Sequence, residues 1–437
     1  MQKFLKQTVV SVLTWEARLI LKRRKPFIIA VTGSVGKTTT KDAIFHVLKD
    51  TTSVRKSEKS FNSELGVPLT ILGLPNAWKS PFLWALYMKI GFWRAVFGRV
   101  YPKVLVLEVG ADHPGDIARL TKWLKPDIAV MTRLAETPVH VEYFSSPDEV
   151  RKEKGELVRA LNNGGMFIAN GDDPYVREWC SATTARTILF GFSKGADVQG
   201  SDPEVRYGTI AEGEHIPLGM TFRVEWKGTQ FPVSINGVLG TQSGAAILAA
   251  LAVGVAQGES MERMIKVLAT FETPIGRMRL IQGKSDAVLI DDTYNSSPTA
   301  AKAALETLRT IHAKRRIAIL GDMLELGGFT EDEHKKIGRI AGEFVDMLLV
   351  VGNRAKWIAE GALQGLGKEK IHEFTDAETA GKWMAEHIHP GDVILAKGSQ
   401  GSGANMIRME RAVKLLMAHP EDASEFLVRQ EEEWSRH

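Results

Sequence analysis

The sequence predicts an α/β protein built on mostly parallel sheets, and three features predict it. Short apolar, β-branched runs at 26–32, 104–109, 128–132 and 166–169 alternate with helical stretches, as strands buried on both faces do. The alternation restarts near Pro274, with strands at 287–291, 316–320, 347–351 and 393–396 and helices at 299–311, 331–344 and 406–417. Between the first strand and the helix at 37–48 stands a glycine-containing turn. A length of 437 residues agrees, since it exceeds what one ordinary core organises. The expected organisation is an N-terminal helix at 1–25, a central phosphate-binding domain at 26–272, and a second α/β domain of Rossmann-like order at 273–437.

Taken in order, residues 2–22 place Phe4, Leu5, Val9, Val12, Leu13, Leu19 and Ile20 at helical spacing. Lys6, Glu16 and Arg18 interrupt the run, so the helix is amphipathic and cannot span a bilayer. It lacks a small-residue cleavage site, and Lys22-Arg23-Arg24-Lys25 follows the apolar part, which excludes a secretory signal. Packing on the protein body is its expected use; lying on an anionic membrane face is the alternative. A second stripe at 81–101, made by Phe82, Leu83, Leu86, Tyr87, Ile90, Trp93 and Phe97, is flanked by Lys79, Lys89, Arg94 and Arg99 and reads as an insertion. It too is expected in a core, with a membrane-facing patch or a seat for a lipid-linked substrate as the alternative. Residues 200–236 read as small antiparallel strands at the edge of the first domain, followed by an Ala-rich helix at 243–257. The second domain carries no Gly-x-Gly-x-x-Gly, so a dinucleotide is not implied.

Composition narrows the class. Hydrophobic residues at 44% and charged residues at 25% are those of a soluble globular protein. A net charge of +4 makes no case for nucleic acid. The one cysteine, Cys180, excludes an internal disulfide and a cysteine-built metal site and fits cytoplasmic residence.

The turn at Gly33-Ser34-Val35-Gly36-Lys37-Thr38 carries chemistry. Backbone N–H groups and a helix N-terminus suit phosphates, Lys37 adds a cation, and Thr38 can hold Mg²⁺. Val31 stands where the general phosphate-loop spacing has its first glycine, and Gly33 replaces it. An accidental Gly-Lys-Thr turn is the alternative, disfavoured by its place directly after a β-branched strand. Glu108 ends the apolar run 104–109, where a parallel sheet presents ligands, and Mg²⁺ takes such oxygens. A solvated strand-end carboxylate is the plain alternative.

These segments, with Phe61-Asn62-Ser63-Glu64-Leu65-Gly66, Glu108-Val109-Gly110-Ala111-Asp112-His113, Lys154-Gly155-Glu156, Asp291-Asp292-Thr293-Tyr294-Asn295, Leu320-Gly321-Asp322-Met323-Leu324-Glu325 and Lys397-Gly398-Ser399, occur in an order that resembles the Mur ligase family. Within it the likeness is greatest to the D-alanyl-D-alanine-adding branch and runs from 26 to about 417. The resemblance implies ATP and two Mg²⁺ as cofactors. Gly33, Ser34, Gly36, Lys37, Thr38 and Thr39 would cradle phosphates; Thr38 and Glu108 would hold one Mg²⁺. His140 would serve the second with Lys154, which matches a lysine the family carbamylates, making Lys37, Lys154 and His140 the catalytic set. Arg277 and Asp292 would hold the ribose, Asn295 would lie near the nucleotide, and Lys397 and Ser399 would receive the amino component. The implied reaction joins an amino acid or D-Ala-D-Ala to a cell-wall peptide carboxylate through an acyl phosphate. Small-molecule or peptide substrates, a monomer, and a cytoplasmic place at or near the inner membrane face follow.

Three departures bear on substrate. About 25 residues precede the first strand, too few for the uridine-nucleotide domain of murein ligases. Gly240-Thr241-Gln242-Ser243-Gly244 replaces a His-Asn segment, and Gln400-Gly401-Ser402-Gly403 follows Ser399 in place of the usual arginine. A ligase acting on another acid, of folylpolyglutamate or cyanophycin type, and a non-catalytic nucleotide-binding scaffold are the competing expectations.

Overall fold

Strand β1 (Phe27–Thr32) is apolar and β-branched, and five of its six residues are buried within a sheet. The computed structural model describes residues 2–58, 61–77, 80–209, 215–401, 406–431 and 434, with the side chains of 2–5, 209 and 215 left aside. Around β1 stand β2 (Val54–Lys56), β3 (Val104–Glu108), β4 (Ile128–Met131), β5 (Met166–Asn170), β6 (Arg186–Gly191), β7 (Val198–Thr209), β8 (His215–Trp226) and β9 (Thr229–Asn236). Their order is β2-β3-β1-β4-β5-β6-β7-β8-β9. Pairing is parallel as far as β7 and antiparallel from there to β9. A second sheet contains β10 (Arg279–Gln282), β11 (Val288–Asp292), β12 (Arg315–Gly321), β13 (Met347–Val351), β14 (Ile371–Phe374) and β15 (Asp392–Lys397) in the order β10-β11-β15-β12-β13-β14. Only β10 runs antiparallel there.

Successive residues of a strand face opposite ways, and β1 feeds two cores accordingly. Ile29 and Val31 join a core with Val47, Ile247 and Leu251, whereas Ile28 and Ala30 join one with Leu13, Ile20 and Leu69. The first is roofed by α2 (Lys37–Leu48) and the Ala-rich helix Thr241–Ala256, the second by α1 (Gln2–Arg24), α3 (Gly66–Leu72) and α4 (Pro81–Phe97). The second sheet is likewise covered on both faces. In each sheet the strands point their carboxyl ends at loops free to bind ligands.

Helix α1 packs on the body, as its pattern suggests: Val9, Leu13, Ala17 and Ile20 are buried against α3 and α4. Glu16, an interruption of the apolar run, is also buried, and its Oε2 has no hydrogen-bond partner among the described residues. It lies against Gly91 of α4, where an added Cβ would stand 2.1 Å from that oxygen. Burial raises its carboxyl from 4.5 to about 7. The folded chain therefore holds a proton there that the unfolded chain has lost, and stability falls as pH rises from about 4.5 to about 7. Glu16→Gln should stabilise by about 1–2 kcal/mol at pH 8, allowing for solvent screening, and by little at pH 5. Urea unfolding at the two pH values measures the difference.

The edge strands differ from their small expected size. β7 and β8 each run 12 residues. Gly200, Pro203 and Gly208 interrupt the side-chain alternation of β7, and its register shifts between Ser201 and Glu204, which is why the sequence reads as shorter pieces. β2, β6, β10 and β14 were not anticipated. In β2 the cause is plain, since Val-Arg-Lys is half-buried throughout and offers no apolar run. Lys79, Ser402, Gly403 and most of the tail at 431–437 lie outside the described residues.

Candidate active site between the two sheets

The loop after β1 is pinned by the end of β4. Thr132 Oγ1 lies 2.7 Å from the Val35 carbonyl and 3.1 Å from that of Thr32, the Ser34 amide donates to the Arg133 carbonyl at 2.6 Å, and the Ala135 amide donates to Ser34 Oγ at 3.1 Å. This closeness demands glycine at 33, where φ is +144° and a Cβ would sit 2.0 Å from Thr132 Oγ1. Gly36, at φ 86°, turns the chain into α2 in a conformation that other residues rarely adopt. The helix N-terminus thus faces the cavity with its amides, and Lys37 folds back to donate to the Gly33 carbonyl at 3.0 Å. Burial, with Arg277 nearby, lowers the Lys37 ammonium from its ordinary range, while Glu108 opposes the shift.

Glu108 is buried at the end of β3 and does not lie solvated. It accepts from Thr38 Oγ1 at 3.0 Å and from Asn62 Nδ2 at 3.2 Å. A hydroxyl and a carboxylate beside a phosphate loop are the oxygen donors that suit Mg²⁺, which keeps waters and takes its remaining ligands from phosphates. Among the described residues no group of three or more His, Cys, Asp or Glu could hold a metal alone. Two protein oxygens and a bound triphosphate fit that chemistry.

The second sheet supplies the opposite wall. Asp292 and Lys397 end β11 and β15 in register, and Lys397 Nζ donates to Asp292 Oδ2 at 2.6 Å and to the Asn295 carbonyl at 3.0 Å. The Arg277 guanidinium lies 4.2 Å over the Tyr294 ring, and its buried Nε has no partner among the described residues, leaving a donor for an arriving ligand. Together the walls line one cleft that is partly open to solvent. The cavity lining includes Ser34, Gly36, Lys37, Thr38, Thr39, Glu108, His140, Arg277, Asp292, Asn295 and Lys397.

Three expected residues lie off this lining: Gly33, turned toward Thr132, and Ser399 and Lys154. Ser399 is buried, donating to the Ser296 carbonyl at 3.1 Å and accepting from the Leu324 amide at 3.2 Å, so it ties two loops behind the cavity. Lys154, on the helix Pro147–Arg159, is buried with a pKa lowered from 10.5 to about 7, first by burial and then by Lys37. Asp112 and Glu153 pull the other way. His140 bridges the two halves, with Nδ1 2.7 Å from Glu325 Oε2 and Nε2 3.4 Å from Asp112 Oδ1. Both His140 and Glu325 sit in the left-handed region, at φ 67° and 63°, a strain that functional sites commonly retain.

Sequence reasoning gave no role to Asn62, Asp112, Glu325 or Gln242, which stand at or beside the cavity, although all four lie in segments it quoted. It missed Arg429 entirely. That residue donates to the Tyr294 carbonyl at 2.5 Å and pairs with Glu410 at 2.9 Å, fixing the 293–294 turn from the far end of the chain. Asp292→Ala, which strands the Lys397 ammonium in a buried site, should destabilise by about 3–5 kcal/mol. Adding Lys397→Met should recover most of that loss, read by thermal unfolding.

A phosphate loop on one sheet facing an Arg–Asp–Lys group on another defines a nucleotide-using enzyme that works across a cleft. The Mur ligase middle domain model matches residues 31–83 and 94–254, and the Mur ligase glutamate ligase domain model matches residues 276–400. The chain is 30% identical over 406 residues to UDP-N-acetylmuramoyl-tripeptide–D-alanyl-D-alanine ligase of Bacillus subtilis, covering 92% of this chain and 79% of that protein. It is 33% identical to the enzyme of that name from Mycobacterium leprae, covering 86% and 71%. The crystal structure of MurF ligase from Thermotoga maritima in complex with ADP superposes with a TM-score of 0.75 at 28% identity, covering 94% and 84%. The chain belongs to the Mur ligase family, whose members are ATP-dependent and form amide bonds. The unmatched stretch 84–93 falls inside α4, the insertion that the sequence suggests.

Proposed function

We propose that this chain joins D-alanyl-D-alanine to the terminal carboxylate of a UDP-N-acetylmuramoyl-tripeptide, as the relatives' names describe. The observation that carries the reading is the single cavity lined by Lys37, Thr38 and Glu108 from one sheet and Arg277, Asp292 and Lys397 from the other. In this reading 26–272 and 273–437 are two units that close on ATP. The chain acts as a monomer on small-molecule or peptide substrates, on the cytoplasmic side where ATP is found.

The substrate carboxylate attacks the γ-phosphorus in line, the bond to the β-phosphate oxygen breaks, and ADP leaves. The acceptor is now an acyl phosphate. The incoming amine attacks its carbonyl carbon, loses a proton, and phosphate departs as the amide forms. Lys37 and the amides of Gly36–Thr38 orient the transferring phosphoryl group and offset its charge. Mg²⁺ would supply further charge neutralisation; Thr38 and Glu108 would hold one ion, and His140 with a carbamylated Lys154 would hold a second. Arg277 and Asp292 hold the ribose. Lys397, with Asn295, frames the amine's approach, and Ser399 serves that approach by fixing the loop rather than by touching the amine. The His140–Glu325 contact favours the closed arrangement, which keeps water from the acyl phosphate.

Phosphate release from ATP, measured over a panel of acids with each amine present or absent, tests the reading. Release that requires both the UDP-linked tripeptide and D-Ala-D-Ala supports it. Release with another acid moves the chain to a different branch, and release indifferent to every amine removes ligase activity from the reading.

A further inference from the structure

The outer face of α1 and α4 carries large apolar side chains that no other described residue covers. Phe82 is 78% exposed, Trp93 63%, Phe97 54% and Trp15 53%, and Val100 just beyond α4 is 95% exposed. They adjoin one another: Trp15 stacks on Phe92 with ring centroids 6.2 Å apart, and Trp93 meets Phe97 at 4.3 Å. Water-facing surfaces seldom keep so many aromatics in one place, and such patches mark an interaction site. The core alternative for this stripe is therefore only partly realised. Tyr87 and Ile90 turn inward against the body, while Leu83 and Leu86 stay outside.

Charge identifies the occupant. Segments 1–25 and 81–103 together hold eleven Lys and Arg and one acidic residue, Glu16, which is buried. Since the whole chain carries only +4, the remainder is net acidic. Arg18, Lys22, Arg23, Lys89, Arg99 and Lys103 all reach solvent from these segments. Among the described residues no helix is long and apolar enough to cross a membrane. An aromatic face ringed by cations, on helices not long and apolar enough to cross, is the composition of a surface that lies in a lipid interface, aromatics at the headgroup level and cations toward phosphate. A second copy of the chain fits less well, because the same face set against itself opposes cation to cation. The two helices also form one unit, packed together and joined by Arg23 Nη1 donating to the Ala95 carbonyl at 3.3 Å.

We propose that the α1–α4 face docks the protein on an anionic lipid bilayer, with both helices lying along the interface. The stretch unmatched by the family model, 84–93, lies within this face, so the docking surface is a local addition to the common catalytic body. The proposal stands apart from the choice of acid and amine and is read without either.

Co-sedimentation of the full chain with lipid vesicles tests it. The chain should pellet with phosphatidylcholine vesicles containing phosphatidylglycerol as about one third of the lipid, stay in solution with phosphatidylcholine alone, and release as salt rises. Trp93→Ser with Phe97→Ser should weaken binding about ten-fold or more and leave the thermal midpoint and ATP turnover on soluble substrates unchanged. Absence of wild-type binding to both vesicles, equal binding to both, or undiminished binding by the double variant would each overturn the proposal. So would a vesicle-independent dimer, seen by light scattering, that the double variant abolishes, because the face would then belong to a second copy.

Discussion

Replacing Lys37 by Ala is expected to cut ATP-dependent phosphate release by about a thousand-fold or more, the scale on which transition-state charge stabilisers act. The side chain begins the helix that faces the cavity, is half-buried, and has its ammonium on the Gly33 carbonyl at 3.0 Å. A triphosphate in the loop would offer that ammonium a far stronger partner than one carbonyl. The group is also held against a cost, since burial and Arg277 lower its pKa. A half-buried, partly desolvated cation with a carbonyl as its hydrogen-bond partner destabilises the ligand-free protein and is relieved by an anionic ligand. Lys37→Ala should therefore lose turnover while its thermal midpoint holds or rises, and the midpoint shift that ATP induces in the wild type should shrink. A variant that kept turnover, or that lost it only by unfolding, would remove Lys37 from the catalytic role.

The site was legible to the extent that its chemistry is local in sequence. The phosphate loop is a contiguous run whose glycines are dictated by φ and by contact with Thr132. Asp292 and Lys397 each close an apolar strand, a pattern visible without a structure. Pairings between distant segments were not legible. Nothing near Arg429 announces that it reaches Tyr294, and nothing in the 140 or 325 segments announces that their side chains meet across the cleft. Ser399 was expected in the loop that receives the amino component, and the inward turn of its side chain to Ser296 could not be read from its place in that motif.

The fold divides in the same way. Strands buried on both faces read clearly because both faces demand apolar residues. Edge elements such as β2 and β14, half wet and short, carry no such demand. Helix α1 is instructive because its hydrophobic spacing located the buried face correctly, yet Glu16, read only as an interruption of the apolar run, lies under α4 against Gly91. A side chain's polarity states the cost of burial and not whether burial occurs.

Lys154→Ala is expected to lower turnover by roughly a hundred-fold, the loss typical when a metal's supporting ligand is removed. The chemistry begins from its depressed pKa of about 7. An ordinary lysine at pH 8 is almost wholly protonated and cannot react with CO₂, whereas a group titrating near 7 is mostly free amine at that pH. In the proposed carbamylation the lone pair on Nζ would attack the carbon of CO₂, a C–O π pair would move to oxygen, and the nitrogen would shed a proton, leaving a carbamate that carries one negative charge. Two consequences follow for charge. Like-charge repulsion with Lys37, which helps to lower the lysine's pKa, becomes attraction once the carbamate forms, and an oxygen ligand appears behind the loop that holds phosphates. Because the reacting form is the free amine, occupancy should rise with pH through about 7 and fall below it. Enzyme degassed at pH 6 should therefore lose turnover and regain it on addition of bicarbonate at pH 8, while Lys154→Ala responds to neither treatment. A small carboxylate such as formate, able to enter the space the variant leaves, should restore part of its activity. Carbon-13 bicarbonate should give a carbamate resonance in the wild type that Lys154→Ala lacks. Indifference of the wild type to bicarbonate, with no such resonance, would return Lys154 to a buried amine whose low pKa reflects nothing beyond its surroundings.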